Sequence, residues 1–168
     1  MESSTELLRT EKFSVVQRVI DGQEKALVQH PGAVVILPFV DAEHICLIRN
    51  RRYAVGKTLV ELPAGTLEPG EETSVAARRE LAEETGFRAG SITRLFDYYV
   101  SPGILDERMH AFVARDLLAG EQNLMLDEQI ETEIVRFDDA IVSIKNGQIE
   151  DAKTIATLLY YKQFVATD

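Results

Sequence analysis

Continuous and alternating apolar segments predict a chain of short strands with helices between them. Residues 33–40 form an unbroken apolar run, which is typical of a central strand buried on both faces. Other runs with strand character lie at 13–20, 24–29, 45–53, 59–62, 92–100, 109–115 and 131–137. Strands interspersed with helices indicate a layered α/β (α+β) domain.

Helical patterns predict three helices, at residues 73–84, 138–144 and about 152–164. Thr73 or Ser74 is the expected N-cap of the first helix, and Gly86 its C-cap. Asp151 is the expected N-cap of the last helix. The apolar face of that helix is predicted to include Ile155, Leu158, Leu159 and Phe164.

The N-terminal region carries a hairpin signal. Asp21-Gly22 lies between two strand-like segments, and this dipeptide favours a two-residue turn. We expect residues 1–30 to form an N-terminal β-hairpin extension and residues 31–168 to form the main domain. Two arrangements remain open: the hairpin packs on another subunit, or it lies at an edge of its own core.

Composition narrows the classes of function. The formal net charge of −10 argues against non-specific binding of nucleic acid or of an anionic membrane. No apolar stretch is long enough to span a bilayer, and the first residues do not resemble a signal peptide, so we expect a cytoplasmic location. The single cysteine, Cys46, lies in an apolar run and is expected to be a buried core thiol.

The predicted first helix carries an unusual set of carboxylates. Glu80 and Glu84 are four residues apart and share one face, with Glu83 beside them. Like charges at this spacing cost about 0.2–0.5 kcal/mol each on an isolated helix. Clustered carboxylates suit Mg²⁺ or Mn²⁺. The other interpretation is a solvated acidic helix face.

The surrounding pattern favours the metal site. Residues 65–87 contain Gly65-x5-Glu71-x7-Arg79-Glu80-Leu81-x-Glu83-Glu84-x-Gly86-Phe87, which resembles the Nudix box with every defining position filled. The order of strands and helices from about residue 30 to 165 is also similar to a Nudix domain. The resemblance implies a Nudix-like α/β/α sandwich with a mixed sheet.

The same resemblance implies residue roles. Glu80, Glu83 and Glu84 would hold two or three Mg²⁺ ions, with Mn²⁺ as a substitute, and the backbone carbonyl of Ala64 would complete a metal site. Arg79, with Glu71, would support the catalytic centre.

Further motifs resemble the ADP-ribose pyrophosphatase branch of that family. Pro102 lies sixteen residues after Gly86, within Tyr99-x-Ser101-Pro102-Gly103. Where the branch commonly has Gln-Tyr-Arg or Gln-Phe-Arg, this chain has Asn50-Arg51-Arg52. The substrate-binding residues implied by the resemblance are Arg52, Glu61, Pro102 and Glu107. Arg51 departs from the pattern of the branch, and it either stacks on or bonds to the substrate or is simply exposed. Phe13 is either a residue that stacks on adenine, from its own or the partner subunit, or a packing aromatic.

The general base is expected in the acidic segment 126–131, because the branch takes it from a mobile loop at this place. Glu128 is the first candidate, Glu131 the second and Asp127 the third. A solvated acidic loop is the alternative interpretation of the segment.

The function implied by the resemblance is Mg²⁺-dependent hydrolysis of ADP-ribose to AMP and ribose 5-phosphate by a homodimer. The partner is then a small nucleotide-sugar substrate. Two alternatives stay open: a pyrophosphatase of another nucleotide sugar such as GDP-mannose, and a non-catalytic Nudix-like ligand sensor.

Overall fold

The apolar runs form strands and the periodic segments form helices, as the sequence predicts. The protein is described here from a computed structural model that covers residues 4–124 and 129–166. The strands in these ranges are β1 Ser4–Arg9, β2 Ser14–Ile20, β3 Gln23–Gln29, β4 Ala33–Pro38, β5 His44–Arg52, β6 Lys57–Glu61, β7 Ala64–Thr66, β8 Arg88–Tyr99, β9 Arg108–Leu118 and β10 Ile130–Arg136. The helices are α1 Thr73–Thr85, α2 Phe137–Lys145 and α3 Ala152–Phe164.

A four-stranded sheet with the order β7-β4-β9-β8 forms the centre of the fold. Strands β4 and β9 run parallel and the other neighbours antiparallel, so the sheet is mixed. All six residues of β4 are buried, which explains why this strand reads as a continuous apolar run.

Helices cover both faces of the central sheet. On one face, Val34 and Ile36 pack with Leu81 of α1. On the other, Val35 and Leu37 share a core with residues of α2 and α3. The predicted α/β/α sandwich is therefore confirmed.

Two further sheets flank this centre. One has the order β10-β5-β6 and is antiparallel. The other is an N-terminal sheet with the order β1-β2-β3. The predicted hairpin is its β2–β3 pair, with Asp21 and Gly22 at φ 51° and 74°, the left-handed values that a type I′ turn requires. Strand β1 was not predicted, because its polar residues carry no apolar alternation.

The helix ends confirm two predicted caps and correct a third. Gly86 closes α1 at φ 76°, and the Asp151 side chain accepts a hydrogen bond from the Thr154 N–H at the start of α3. The N-cap of α1 is Glu72, not Thr73 or Ser74, and its side chain makes no capping hydrogen bond.

The predicted apolar face of α3 is partly wrong. Leu158 is buried as predicted, but Leu159 and Phe164 are 44% and 71% exposed. Their places in the core are taken by residues on the Leu158 stripe, namely Thr154, Thr157 and Tyr161. Two threonines pack on this stripe where an apolar pattern cannot mark them.

Cys46 is fully buried in β5, which confirms the core thiol. Burial raises its pKa to about 11, because desolvation disfavours the thiolate. In the described ranges, no helix has the length and apolar character needed to cross a membrane.

Candidate active site

Helix α1 presses two carboxylates against the short strand β7. The backbone N–H of Ala64 donates to the Glu84 side chain at 2.8 Å, and Glu84 is only 3% exposed. A Cβ on Gly65 would lie 1.9 Å from the carboxyl carbon of Glu80. Glycine at this position is therefore what lets the Glu80 carboxylate approach the backbone of β7.

Arg79 joins three carboxylates into what we call the Arg79 cluster (Arg79, Glu71, Glu80 and Glu83). Its guanidinium donates to both oxygens of Glu71 at 3.0 and 2.9 Å, to Glu80 at 2.7 Å and to Glu83 at 3.1 Å. The hydrogen bonds from Arg79 lower the pKa of Glu71, and those to Glu71 raise the pKa of Arg79. One cation thus stands against three anions, so the cluster has an excess of negative charge.

The donors of this region fit a hard divalent cation. Glu80 and Glu84 bring carboxylates to the Ala64–Thr66 strand, and carboxylate and carbonyl oxygens are the ligands that Mg²⁺ and Mn²⁺ prefer. Within the described residues, no three acidic, histidine or cysteine side chains already form a metal cage. Arg79 contacts two of the three helix carboxylates instead, Glu80 and Glu83.

A second set of charges contains equal numbers of cations and carboxylates. We call it the Glu61 cluster (Glu61, Arg52, Lys153 and Asp151). The Glu61 carboxylate is fully buried and accepts two hydrogen bonds from Arg52, at 2.8 and 2.6 Å, and one from Lys153. The pKa of Arg52 is raised, first by its hydrogen bonds to Glu61 and further by the charges of Glu84 and Asp151. Arg52 therefore lies within electrostatic reach of the Glu84 carboxylate on α1.

The register of β5 separates the two predicted arginines. Arg52 pairs with Lys57, and Ile48 pairs with Glu61, which puts Arg52 and Glu61 on one face of the sheet. Arg51, an adjacent residue, is on the opposite face because side chains alternate along a strand. It is exposed there.

The candidate bases are placed differently. Asp127 and Glu128 lie outside the described residues. Glu131 is exposed on β10 and pairs with Arg49, so it lies on the face of the sheet opposite to Arg52 and Glu61.

The residues before and after segment 125–128 contact elements that carry site residues. Before it, the Asn123 N–H donates to the Glu83 carbonyl at 3.0 Å, and the Gln122 side chain donates to the Glu84 carbonyl at 2.5 Å. After it, Ile130 pairs with Asn50 at the start of β10. Residues 122 and 123 therefore lie at the C-terminal end of the carboxylate helix.

Two of the three remaining predicted substrate residues, Pro102 and Glu107, lie in the loop after β8. Pro102 lines a cavity of about 290 Å³ between that loop and the N-terminal sheet, together with Arg18, Tyr99 and Asp106. Glu107 is largely buried, with a carboxylate oxygen 3.5 Å from Nδ1 of His30. Phe13 lies just before β2, is 39% exposed and does not line that cavity.

Sequence reasoning did not single out Lys153. It is separated from Glu61 by 92 positions, and only the packing of α3 beside β6 brings them together. The only local signal was its place next to the helix cap Asp151, which does not by itself indicate a binding role.

Comparison with known proteins gives three consistent results. Residues 28–158 match the family model described as NUDIX domain. The chain is 39% identical over 139 residues to an ADP-ribose pyrophosphatase of Bacillus subtilis, covering 82% of this chain and 75% of that one. It is 35% identical over 138 residues to a GDP-mannose pyrophosphatase of Shigella flexneri, covering 77% and 72%.

Another relative and a solved structure extend the comparison. A protein of Bacillus methanolicus named methanol dehydrogenase activator is 36% identical over 139 residues, with 82% and 75% covered. The solved structure titled "Crystal structure of ADP compounds hydrolase" superimposes with a TM-score of 0.81 over 98% of this chain and 93% of that chain, at 22% identity. The box, the sandwich and the match over most of the chain agree: this protein belongs to the Nudix family.

Proposed function

We propose that the protein is a Mg²⁺-dependent ADP-ribose pyrophosphatase, which hydrolyses ADP-ribose to AMP and ribose 5-phosphate. The observation that carries the proposal is the meeting of Glu80 and Glu84 on the Ala64–Thr66 strand, with the Arg52–Glu61 pair within electrostatic reach. The 39% identity to the ADP-ribose pyrophosphatase of Bacillus subtilis supports the choice of substrate.

In this proposal the acidic side chains hold the metal. Glu80, Glu83 and Glu84, with the Ala64 carbonyl, would bind two or three Mg²⁺ ions, and Mn²⁺ could replace them. When bound, the ions offset the charge of the diphosphate and activate the attacking water. Arg79 would serve catalysis by holding the carboxylates of Glu80 and Glu83 in place, as its hydrogen bonds to them support. Glu83 would serve catalysis as one of the metal ligands.

Arg52 is the proposed contact for the diphosphate. Its guanidinium is held by Glu61 through two hydrogen bonds, yet 39% of the side chain stays exposed. A guanidinium held in one orientation suits the recognition of phosphate oxygens. Pro102 and Glu107 would contact the remainder of the substrate beside the cavity described above, whereas Arg51, on the other face of the sheet, would act only through a change of conformation.

Glu128 is the proposed general base. The support for it is the acidic segment 126–131, at the place in the chain from which the ADP-ribose pyrophosphatase branch takes its base. Gln122 and Asn123, a few residues earlier in the chain, hydrogen-bond to the last turn of α1. Asp127 belongs to the same acidic segment and is the third candidate. Glu131 is a weaker candidate because it lies on the opposite face of the β10-β5-β6 sheet from Arg52 and Glu61.

Another nucleotide sugar is the second candidate substrate. Relatives that are 35% identical are named GDP-mannose pyrophosphatases. The replacement of the usual aromatic residue by Arg51 also leaves room for a different base or sugar.

One assay decides between these substrates. Purified protein is incubated with ADP-ribose, GDP-mannose and other nucleotide sugars, with and without Mg²⁺, and nucleoside monophosphate is measured. Fastest release of AMP from ADP-ribose, only with the metal, supports the main proposal. Faster turnover of GDP-mannose would replace it. No turnover of any substrate would favour a ligand sensor.

We also propose a homodimer formed through the N-terminal extension 1–30, attached to a Nudix domain at 31–168. All six residues of β1 are exposed, including Leu7 and Leu8, and the family model starts only at residue 28. Phe13 would reach the partner's substrate in such a dimer. A monomer in analytical ultracentrifugation at assay concentration would contradict this. The expected cytoplasmic location rests on the sequence.

A further inference from the structure

We propose that Lys153 is a positioning residue for substrate binding, which compensates the buried Glu61 so that the charge of Arg52 remains available to an anion. The inference rests on the proposed function in one respect, namely that Arg52 contacts the diphosphate. Lys153 itself does not touch the substrate in this proposal.

The geometry makes Lys153 and Arg52 share one carboxylate. Arg52 takes both oxygens of Glu61 through its Nε and one terminal nitrogen. Lys153 contacts Oε2, the same oxygen that accepts from the terminal nitrogen of Arg52. Glu61 has no exposed surface and Lys153 has 12%, whereas Arg52 has 39%. Arg52 is therefore the member of the trio that is most open to a ligand.

The charges show what Lys153 contributes. With Asp151, whose carboxylate lies 3.0 Å from the Lys153 ammonium, the Glu61 cluster has two positive and two negative groups. Removal of the Lys153 charge leaves the cluster with an excess of one negative charge, in a poorly solvated place where charge interactions are strong. Since Glu84 already adds a negative charge nearby, an incoming diphosphate would meet a more repulsive site.

A neighbouring contact offers a competing structural explanation. The Leu62 N–H donates to the Thr154 hydroxyl at 2.8 Å, and that hydroxyl donates to Asp151 at 2.6 Å. The start of α3 thus also braces the chain that leads to Ala64. A substitution that removes the charge of Lys153 but leaves Thr154 in place separates electrostatic compensation from bracing.

The test uses three variants of the full-length protein. Lys153→Gln keeps a long polar side chain and loses the charge, and Lys153→Arg keeps the charge. Lys162→Gln is the matched control, because Lys162 also lies in α3 and pairs with a carboxylate, that of Asp138, but 49% and 73% of the two side chains are exposed. Such exposed pairs contribute little.

ADP is the probe, since it carries the diphosphate and its binding can be measured without turnover. Isothermal titration calorimetry with Mg²⁺ is expected to show binding weakened about tenfold in Lys153→Gln, the scale of one lost charge-assisted contact. Lys153→Arg and Lys162→Gln should bind as the wild type does. On the best substrate, KM should rise in Lys153→Gln while kcat stays nearly unchanged.

The outcomes are distinct. Wild-type ADP affinity in a folded Lys153→Gln protein overturns the proposal. Equal losses in the Gln and Arg variants, with a lowered Tm in both, show bracing and also overturn it, as does a wild type that does not bind ADP. If the wild type fails to hydrolyse ADP-ribose but Lys153→Gln still weakens ADP binding, the proposed activity falls and the role of Lys153 stands.

Discussion

The Arg79 cluster and the Glu61 cluster differ in charge balance, because the first has three carboxylates for one cation and the second has two carboxylates for two cations. In the first, one guanidinium is surrounded by Glu71, Glu80 and Glu83. In the second, one buried carboxylate is held by Arg52 and Lys153. The first cluster has spare negative charge for cations, and the second directs a guanidinium toward an anion.

This difference shows how an acidic protein can bind an acidic substrate. With a net charge of −10, the chain repels a diphosphate at long range. Cations held by the carboxylates and the charge of Arg52 would reverse the field locally. The two clusters lie close together, because Glu61 and Gly65 are four residues apart and the Glu80 carboxylate lies against Gly65.

Removal of one proposed metal ligand should have the largest effect. Glu84→Gln is expected to lower kcat by about three orders of magnitude, since a metal ion supplies several kcal/mol and roughly 1.4 kcal/mol corresponds to tenfold. Steady-state kinetics with Mg²⁺ measures this, and circular dichroism checks the fold. Near-normal activity would contradict the metal assignment.

Loss of the proposed general base is expected to give the next largest effect. Glu128→Gln is expected to lower kcat by about 10²–10⁴-fold, the usual contribution of general base catalysis. Mn²⁺ affinity, measured by electron paramagnetic resonance, should change little. Glu131→Gln is the comparison variant, because Glu131 in β10 is the second candidate base. If Glu131→Gln is the more damaging change, the base is wrongly assigned.

A third variant disturbs the Arg79 cluster without removing any charge. Gly65→Ala places a methyl group on the Glu80 carboxylate and should displace it. We expect a loss of roughly 10–100-fold in kcat, because small misplacements of catalytic groups carry such effects. Gly103→Ala is a control, since its added Cβ meets nothing within 4 Å and its φ is not positive. Equal kcat for both variants would refute the role of the close approach.

The smallest expected effect concerns pH and the stability of the Arg79 cluster. Arg79 lowers the pKa of Glu71 from the ordinary 4.5. The stabilisation from this pair is therefore fully present above pH 4.5 and is lost as the pH falls through the folded-state pKa.

Arg79→Gln removes that contribution. Thermal unfolding should show a lower Tm than the wild type at pH 7 and a smaller difference below pH 4. A difference that grows as the pH falls would have the wrong sign and would contradict the ion pair.

Local sequence patterns were enough to predict the carboxylates of α1 and the main fold. Glu80, Glu83 and Glu84 share one side of α1 because helical spacing puts residues three and four apart on the same side. The continuous apolar run at β4 predicts a strand that is buried on both faces. Local periodicity and local turn residues carry this information, so the central sandwich and the caps at Gly86 and Asp151 could be read from the chain.

The Glu61 cluster, in contrast, could be identified only from the packed structure. Arg52, Glu61 and Lys153 come from β5, β6 and α3, and no local pattern encodes a contact across 92 positions. Strand register likewise decided that Arg51 and Glu131 lie on the opposite face from Arg52. The physical reason is that burial of a charge is specified by its partners, and those partners are brought together only when the helices and sheets pack.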